Sequence, residues 1–234
     1  MRRLVLWDID GTLVDTGRIG RDAFGEAFEA VAGRAPDQAA QDTVEMAGRT
    51  DHEIALEFLA LHRIDGQAHL PAFSEALAAA LAAKEGEIRR HGQALPGAEA
   101  ALAALRDEPG VVQSLLTGNI EPNAAVKLAA FGLDVYLDFA VGGYGSDDPH
   151  RPKLVAVARR KAKAKYGVAF GPASTVLVGD TPLDVAAGRQ GGARVVAVAT
   201  GQFDPGELRA AGADAVLPDL RDTAAVLDAV LAGA

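Results

Sequence analysis

The sequence predicts an α/β protein, a doubly wound parallel sheet interrupted after its first strand by an all-helical insertion. Two patterns carry that expectation. Short β-branched or Leu-rich runs alternate with longer Ala-rich stretches of helical spacing, as in a parallel sheet covered by helices. Between Thr16 and about Gly92 the alternation stops, and amphipathic helical patterns take its place. The length, 234 residues, exceeds the ~100–150-residue mode for one domain and suits a core that carries an insertion.

The strand candidates are 3–7, 111–116, 138–142, 175–179, 194–199 and 214–217. Runs such as Val111 to Leu116 and Val195 to Val198 are nearly continuously apolar, as strands buried on both faces are. Three helices are expected in the insertion. Ala23, Phe24, Ala27, Phe28 and Val31 share one face of the first. The second opens at Thr50-Asp51-His52-Glu53, a capping box in which Thr50 and Glu53 satisfy each other's backbone donors. The third carries Phe73, Leu77, Ala80, Leu81 and Lys84 on one face, with Pro71 suited to its first turn. A structureless connection of about 75 residues is improbable, so the chain divides into an α/β core of 1–15 and 93–234 and a helical cap of 16–92.

Composition removes several classes of function. Apolar residues make up 49% and no apolar run approaches the ~20 residues of a membrane span. A net charge of −9 opposes loose attraction to phosphate backbones, so neither a membrane nor a nucleic-acid partner is expected. The absence of cysteine excludes disulfides, thiolate nucleophiles and Cys-ligated metals, and it fits a cytoplasmic protein. Asp8 ends the apolar stretch after Arg2-Arg3 too early for a signal peptide.

The chemistry concentrates at strand ends. Asp8-Ile9-Asp10-Gly11-Thr12 follows directly on the first strand, and a period of two places Asp8 and Asp10 on one side, roughly 6–7 Å apart. Two like charges that close ionise cheaply only with a cation between them, and hard oxygen ligands favour Mg²⁺. Gly11 permits a tight turn there. A solvated turn is the plain alternative for such residues. Other strand ends weigh against it. Val176-Leu177-Val178 runs into Gly179-Asp180-Thr181-Pro182-Leu183-Asp184, bringing two more carboxylates to the same edge. Ser114-Leu115-Leu116 runs into Thr117-Gly118-Asn119, a hydroxyl followed by backbone amides suited to phosphate oxygens. Arg151-Pro152-Lys153 supplies a cation after the strand at 138–142. Ligand sites in open α/β sheets form at these carboxyl ends.

With those motifs the chain resembles the haloacid dehalogenase-like hydrolase superfamily, in particular its phosphoglycolate-phosphatase-like members with a helical cap. The match spans Asp8 to Asp15, Thr117 to Asn119, a basic third motif, Gly179 to Asp184 and the tail Ala210-Ala211-Gly212-Ala213-Asp214. The resemblance implies a Rossmann-like core, Mg²⁺ and a small phosphorylated metabolite as substrate. It implies Asp8 as nucleophile, forming an aspartyl-phosphate, and Asp10 as general acid and base. Asp8, Asp180 and the backbone carbonyl of Asp10 would hold the metal, oriented by Asp184. Thr117 and a cation would hold the phosphoryl oxygens, with Gly11, Thr12, Gly118 and Asn119 completing the phosphate cradle. Where such phosphatases usually place Lys-Pro this chain has Arg151-Pro152 followed by Lys153. Arg151 aligns with the proline, whereas Lys153 has the usual chemistry.

Rival readings are a phosphosugar mutase of the same fold and a receiver-like phospho-accepting module. Mutases of this kind carry a histidine in the cap hinge where this sequence has Gly20, and receivers lack the helical insertion. Arg49, in the loop before a cap helix, is a candidate partner for a substrate carboxylate and equally a solvated helix-start residue. The seven Lys and Arg within 151–165 lie largely opposite an apolar stripe, which reads as a solvated face. His52, His62, His69, His91 and His150 show no metal-ligand spacing. The oligomeric state is not legible.

Overall fold

In the computed structural model, which describes residues 2–233, six parallel strands form the sheet. They are β1 (Arg3–Trp7), β4 (Val111–Thr117), β5 (Gly143–Tyr144), β6 (Thr175–Gly179), β7 (Arg194–Val198) and β8 (Ala215–Leu217). Their order is β5-β4-β1-β6-β7-β8, so the chain winds outward from β1 on one side, returns, and winds outward on the other. β1 therefore lies between β4 and β6 at the point where the winding reverses, which is where a crevice opens beyond the strand ends.

Alternate side chains of the buried strands feed two cores, as a period of two requires. Val5, Trp7, Leu115, Val176 and Val178 pack on α6 (Ala98–Asp107), α7 (Glu121–Ala129) and α11 (Thr223–Leu231). Leu4, Leu6, Leu116 and Leu177 face the other way, onto α8 (Arg151–Tyr166) and α9 (Pro182–Gly191). α10 (Pro205–Ala211) seals β7 through Leu208.

The insertion leaves and rejoins this core through a small antiparallel ribbon, β2 (Val14–Asp15) paired with β3 (Gln93–Ala94). Between them lie five helices rather than three: α1 (Ile19–Ala32), α2 (Gln38–Thr43), α3 (Asp51–Leu61), α4 (Gly66–Ala83) and α5 (Glu85–His91). They build a core of their own around Phe24, Phe28, Phe58, Phe73 and Leu77. Thr50 and Glu53 make the expected capping box. Pro71, by contrast, stands inside α4, because Asp65 accepts from Gln67 and Ala68 and starts the helix a turn earlier than the proline suggests.

The strand expected at 138–142 is also corrected. Phe139–Val141 forms a 3₁₀ turn, capped by the Asp138 side chain on the amide of Ala140, and pairing is confined to Gly143 and Tyr144. Val141 is buried all the same, so apolar character there marks burial without a strand. No helix among the described residues is long and apolar enough to cross a membrane.

Candidate active site

Each motif reaches the site because a strand ends beside it. Asp8 continues β1, its amide donating to Val178 O at 2.9 Å, and its carboxylate is buried. Regular pairing stops there. Leu13 and Val14 donate to Ile9 O, closing a turn in which Gly11 adopts φ +80°, and a Cβ at Gly11 would collide with Asp180.

Because the strand does not continue, the Asp10 carboxylate is not among the acids grouped around Asp8. The carboxylates of Asp8, Asp180 and Asp184 gather instead, one oxygen of each within 4.8 Å of the others, all three buried. Asp10 turns toward the cavity with its side chain 45% exposed, and Lys127 Nζ lies 2.6 and 2.8 Å from its two oxygens. The three-carboxylate cluster offers only hard oxygen donors, the set that Mg²⁺ takes.

Its electrostatics point the same way. Burial pushes Asp8 well above the usual carboxylate range, with Asp184 adding to the shift and Arg151 opposing it. Asp180 is pushed up to about 7, again by burial first and by Asp184 second, against a hydrogen bond from Thr12. These acids are crowded beyond what one cation neutralises.

That cation is Arg151, the first residue of α8. Its Nη2 donates to Asp8 Oδ1 at 2.6 Å and to Asp184, and its Nη1 donates to Gly48 O at 2.8 Å. Burial alone would lower its pKa, but Asp184 and Asp8 outweigh it and hold the guanidinium charged. Lys153, the rival for this role, points away. Its side chain is 64% exposed and pairs with Asp148 at 3.3 Å, because two positions along the helix turn it by about 200°, to the outer face.

Thr117 ends β4 and lines the cavity, which has a volume of about 400 Å³. Its Oγ1 accepts from Asn119 N at 3.2 Å and Asn119 Nδ2 at 2.9 Å, which leaves its own hydrogen to donate. Gly118 and Asn119 line the same space. The phosphate cradle expected from Gly11 and Thr12 is otherwise engaged: Gly11 N donates to Val14 O, Thr12 N to Ile9 O, and the Thr12 hydroxyl to Asp180 Oδ1 at 3.0 Å. Thr12 orients a carboxylate and does not face the cavity. Asp184 is fixed by its own capping box, accepting from Thr181 N and Oγ1 at 3.0 and 2.7 Å.

From the insertion, Arg49 lines the cavity, with its Nη1 already held by Glu45 O and Glu57. Gly48, Arg49, Thr50 and Asp51 rest directly on the core. Asp51 N donates to Gly118 O at 2.8 Å, and Asp51 Oδ2 accepts from Ile120 N at 2.9 Å. Sequence reasoning missed Lys127 and Asp51. In the sequence they leave only the spacing of Asn123 and Lys127, four apart on a helix that follows the Thr117 motif, and the burial of both is visible in the structure alone.

A sequence profile of haloacid dehalogenase-like hydrolases matches residues 2–192. The chain belongs to that family. It is a hydrolase, and its curated relatives are phosphatases. A plasmid-encoded phosphoglycolate phosphatase of Cupriavidus necator is 32% identical, over 95% of this chain and 92% of the relative. A probable phosphatase, IndB, of Dickeya dadantii is 27% identical over 99% and 96%. Among solved structures, a predicted phosphoglycolate phosphatase from Haemophilus somnus superposes with a TM-score of 0.69, at 19% identity, over 96% of this chain and 97% of that one. At that identity the likeness concerns the fold.

Proposed function

We propose that this hydrolase is a Mg²⁺-dependent phosphomonoesterase that acts on a small phosphorylated metabolite, phosphoglycolate or a close relative, through an aspartyl-phosphate. Residues 16–92 serve as the cap over a core of 1–15 and 93–234, and the protein works in the cytoplasm. The observation that carries this reading is Asp8: a carboxylate at the end of the central strand, buried against Asp180, Asp184 and Arg151, and lining the cavity.

Phosphate monoesters hydrolyse very slowly unaided, so the site must supply a nucleophile and neutralise the transferring group. Asp8 attacks phosphorus through one carboxylate oxygen. The bond from phosphorus to the ester oxygen breaks, and Asp10 gives that oxygen its proton. In the second step water attacks the phosphorus of the aspartyl-phosphate, Asp10 takes the water's proton, and Asp8 and inorganic phosphate are released. Arg151 and the Thr117 hydroxyl hold the phosphoryl oxygens. Asp8, Asp180 and the carbonyl of Asp10, oriented by Asp184, would hold Mg²⁺, which supplies charge neutralisation when bound.

A mutase would return the phosphoryl group to a second hydroxyl. Gly20 lines the cavity and has open space around it, so no side chain stands there to serve the cap-hinge role. The test is a panel of phosphomonoesters with and without Mg²⁺, read for free phosphate and for phosphosugar interconversion. Release of phosphate that requires the metal is expected. Interconversion without net phosphate, or full activity in chelator, would contradict the reading.

A further inference from the structure

Lys127 is the strongest unassigned feature of the molecule. It rises from α7, a core helix, with its side chain only 8% exposed, and it lines the cavity. Its ammonium makes three short contacts: 2.8 and 2.6 Å to the two oxygens of Asp10, and 2.7 Å to Asn119 Oδ1. Those contacts use all three of its N–H donors. Asn119 completes the frame, donating from Nδ2 to Asp10 Oδ2 at 2.8 Å and to Thr117 Oγ1 at 2.9 Å.

We propose that Lys127, together with Asn119, is a positioning residue that fixes the Asp10 carboxylate for its proton transfers. This rests on the reading of Asp10 as general acid and base. Three observations favour it over a purely structural ion pair and over a substrate-binding lysine. First, Asp10 projects into the cavity and is nearly half exposed, so nothing about its burial demands a counter-charge. Second, burying an ammonium is costly unless its partners are well placed, and here the lysine is the buried member of the pair. Third, a lysine with every donor engaged has none left for an anion on the substrate.

The geometry has a consequence for the cap. Lys127, Asn119 and Thr117 all belong to β4, α7 and the turn between them. Asp10 is thus held by the core, so its orientation does not wait on the helical insertion. Proton transfer is prepared before the substrate is enclosed.

A positioning residue acts through its partner, and that property sets the experiment. Steady-state and stopped-flow kinetics of Mg²⁺-loaded wild type, K127M, D10N and the double variant D10N/K127M are compared with p-nitrophenyl phosphate and phenyl phosphate. For K127M we expect kcat to fall ~30-fold or more with KM within about threefold, since only the transition state is affected. The loss is larger for phenyl phosphate, whose leaving oxygen needs the proton more. The double variant should fall no more than about threefold below D10N alone. Because the chain has no cysteine, K127C offers a second route: treatment with 2-bromoethylamine rebuilds a lysine analogue at one position, and kcat should recover at least ~10-fold.

K127M within threefold of wild type in kcat, while D10N is crippled, would overturn the Lys127 assignment alone. A KM effect without a kcat effect would make it a substrate-binding residue and overturn the assignment as well. A double variant far weaker than D10N would mean that Lys127 acts independently of Asp10, which also overturns it. D10N with near wild-type turnover would remove the acid and base reading itself, and the Lys127 role with it.

Discussion

At the scale of single residues, the site is a problem of like charge, and each solution is visible in a particular partner. Arg151 reaches Asp8 and Asp184 through one terminal nitrogen and Gly48 O through the other, so one guanidinium ties two core carboxylates to the insertion. Asp51 has no full counter-charge. Burial pushes it up to about 6, with Lys127 and the Ile120 amide only partly relieving the cost. A carboxyl with a raised native pKa binds its proton more readily folded than unfolded, so its contribution to stability is complete below the ordinary value of 3.8 and is lost as pH rises through about 6. Asp51→Asn keeps an acceptor for the Ile120 amide and removes the charge. Urea unfolding should therefore give similar stabilities for D51N and wild type near pH 3.5. At pH 7.5 D51N should be the more stable, by on the order of 1–3 kcal/mol. A variant less stable at pH 7.5 would show that the charge is worth more to this contact than its burial costs.

Elements explain why some of this was legible in the sequence and some was not. Strand-end motifs announce themselves, since Asp8, Thr117 and Asp180 each stand at the end of an apolar run of strand length. Lys127 gives no such signal. Its partner Asp10 is remote in sequence, and a lysine on a helix ordinarily reads as solvated until packing shows that it is buried. The misread strand at 138–142 failed for a related reason: Phe139 to Val141 is apolar because it is covered, and a 3₁₀ turn can be covered as well as a strand. The relation of insertion to core also depends on an unwritten contact. A Cβ at Gly118 would collide with Arg49 O, so the core loop and residues 48–51 meet backbone to backbone. Gly118→Ala should push that segment off the core. The expected result is a KM raised ~10-fold or more with kcat changed less, measured alongside thermal unfolding within a few degrees of wild type. An unchanged KM would show that the seat is not part of substrate enclosure.

For the whole molecule, sheet topology is what turns scattered acids into one centre. β1 lies between β4 and β6, so residues far apart in sequence arrive at one crevice. There Asp8, Asp180 and Asp184 gather around the single guanidinium of Arg151, an excess of carboxylate that a divalent ion would balance. Millimolar Mg²⁺ should therefore raise the unfolding temperature by roughly 3 °C or more, and Asp180→Asn should lose most of that rise. An equal rise in D180N would place the ion elsewhere. The proposed reaction requires Asp8 as the group that accepts phosphorus. Enzyme turning over p-nitrophenyl phosphate with Mg²⁺ is quenched in acid, reduced with borohydride, digested and sequenced by mass spectrometry. Conversion of Asp8, and not Asp10, to homoserine is the predicted result. An active enzyme whose Asp8 is recovered unmodified, with the label on another side chain or on none, would contradict it.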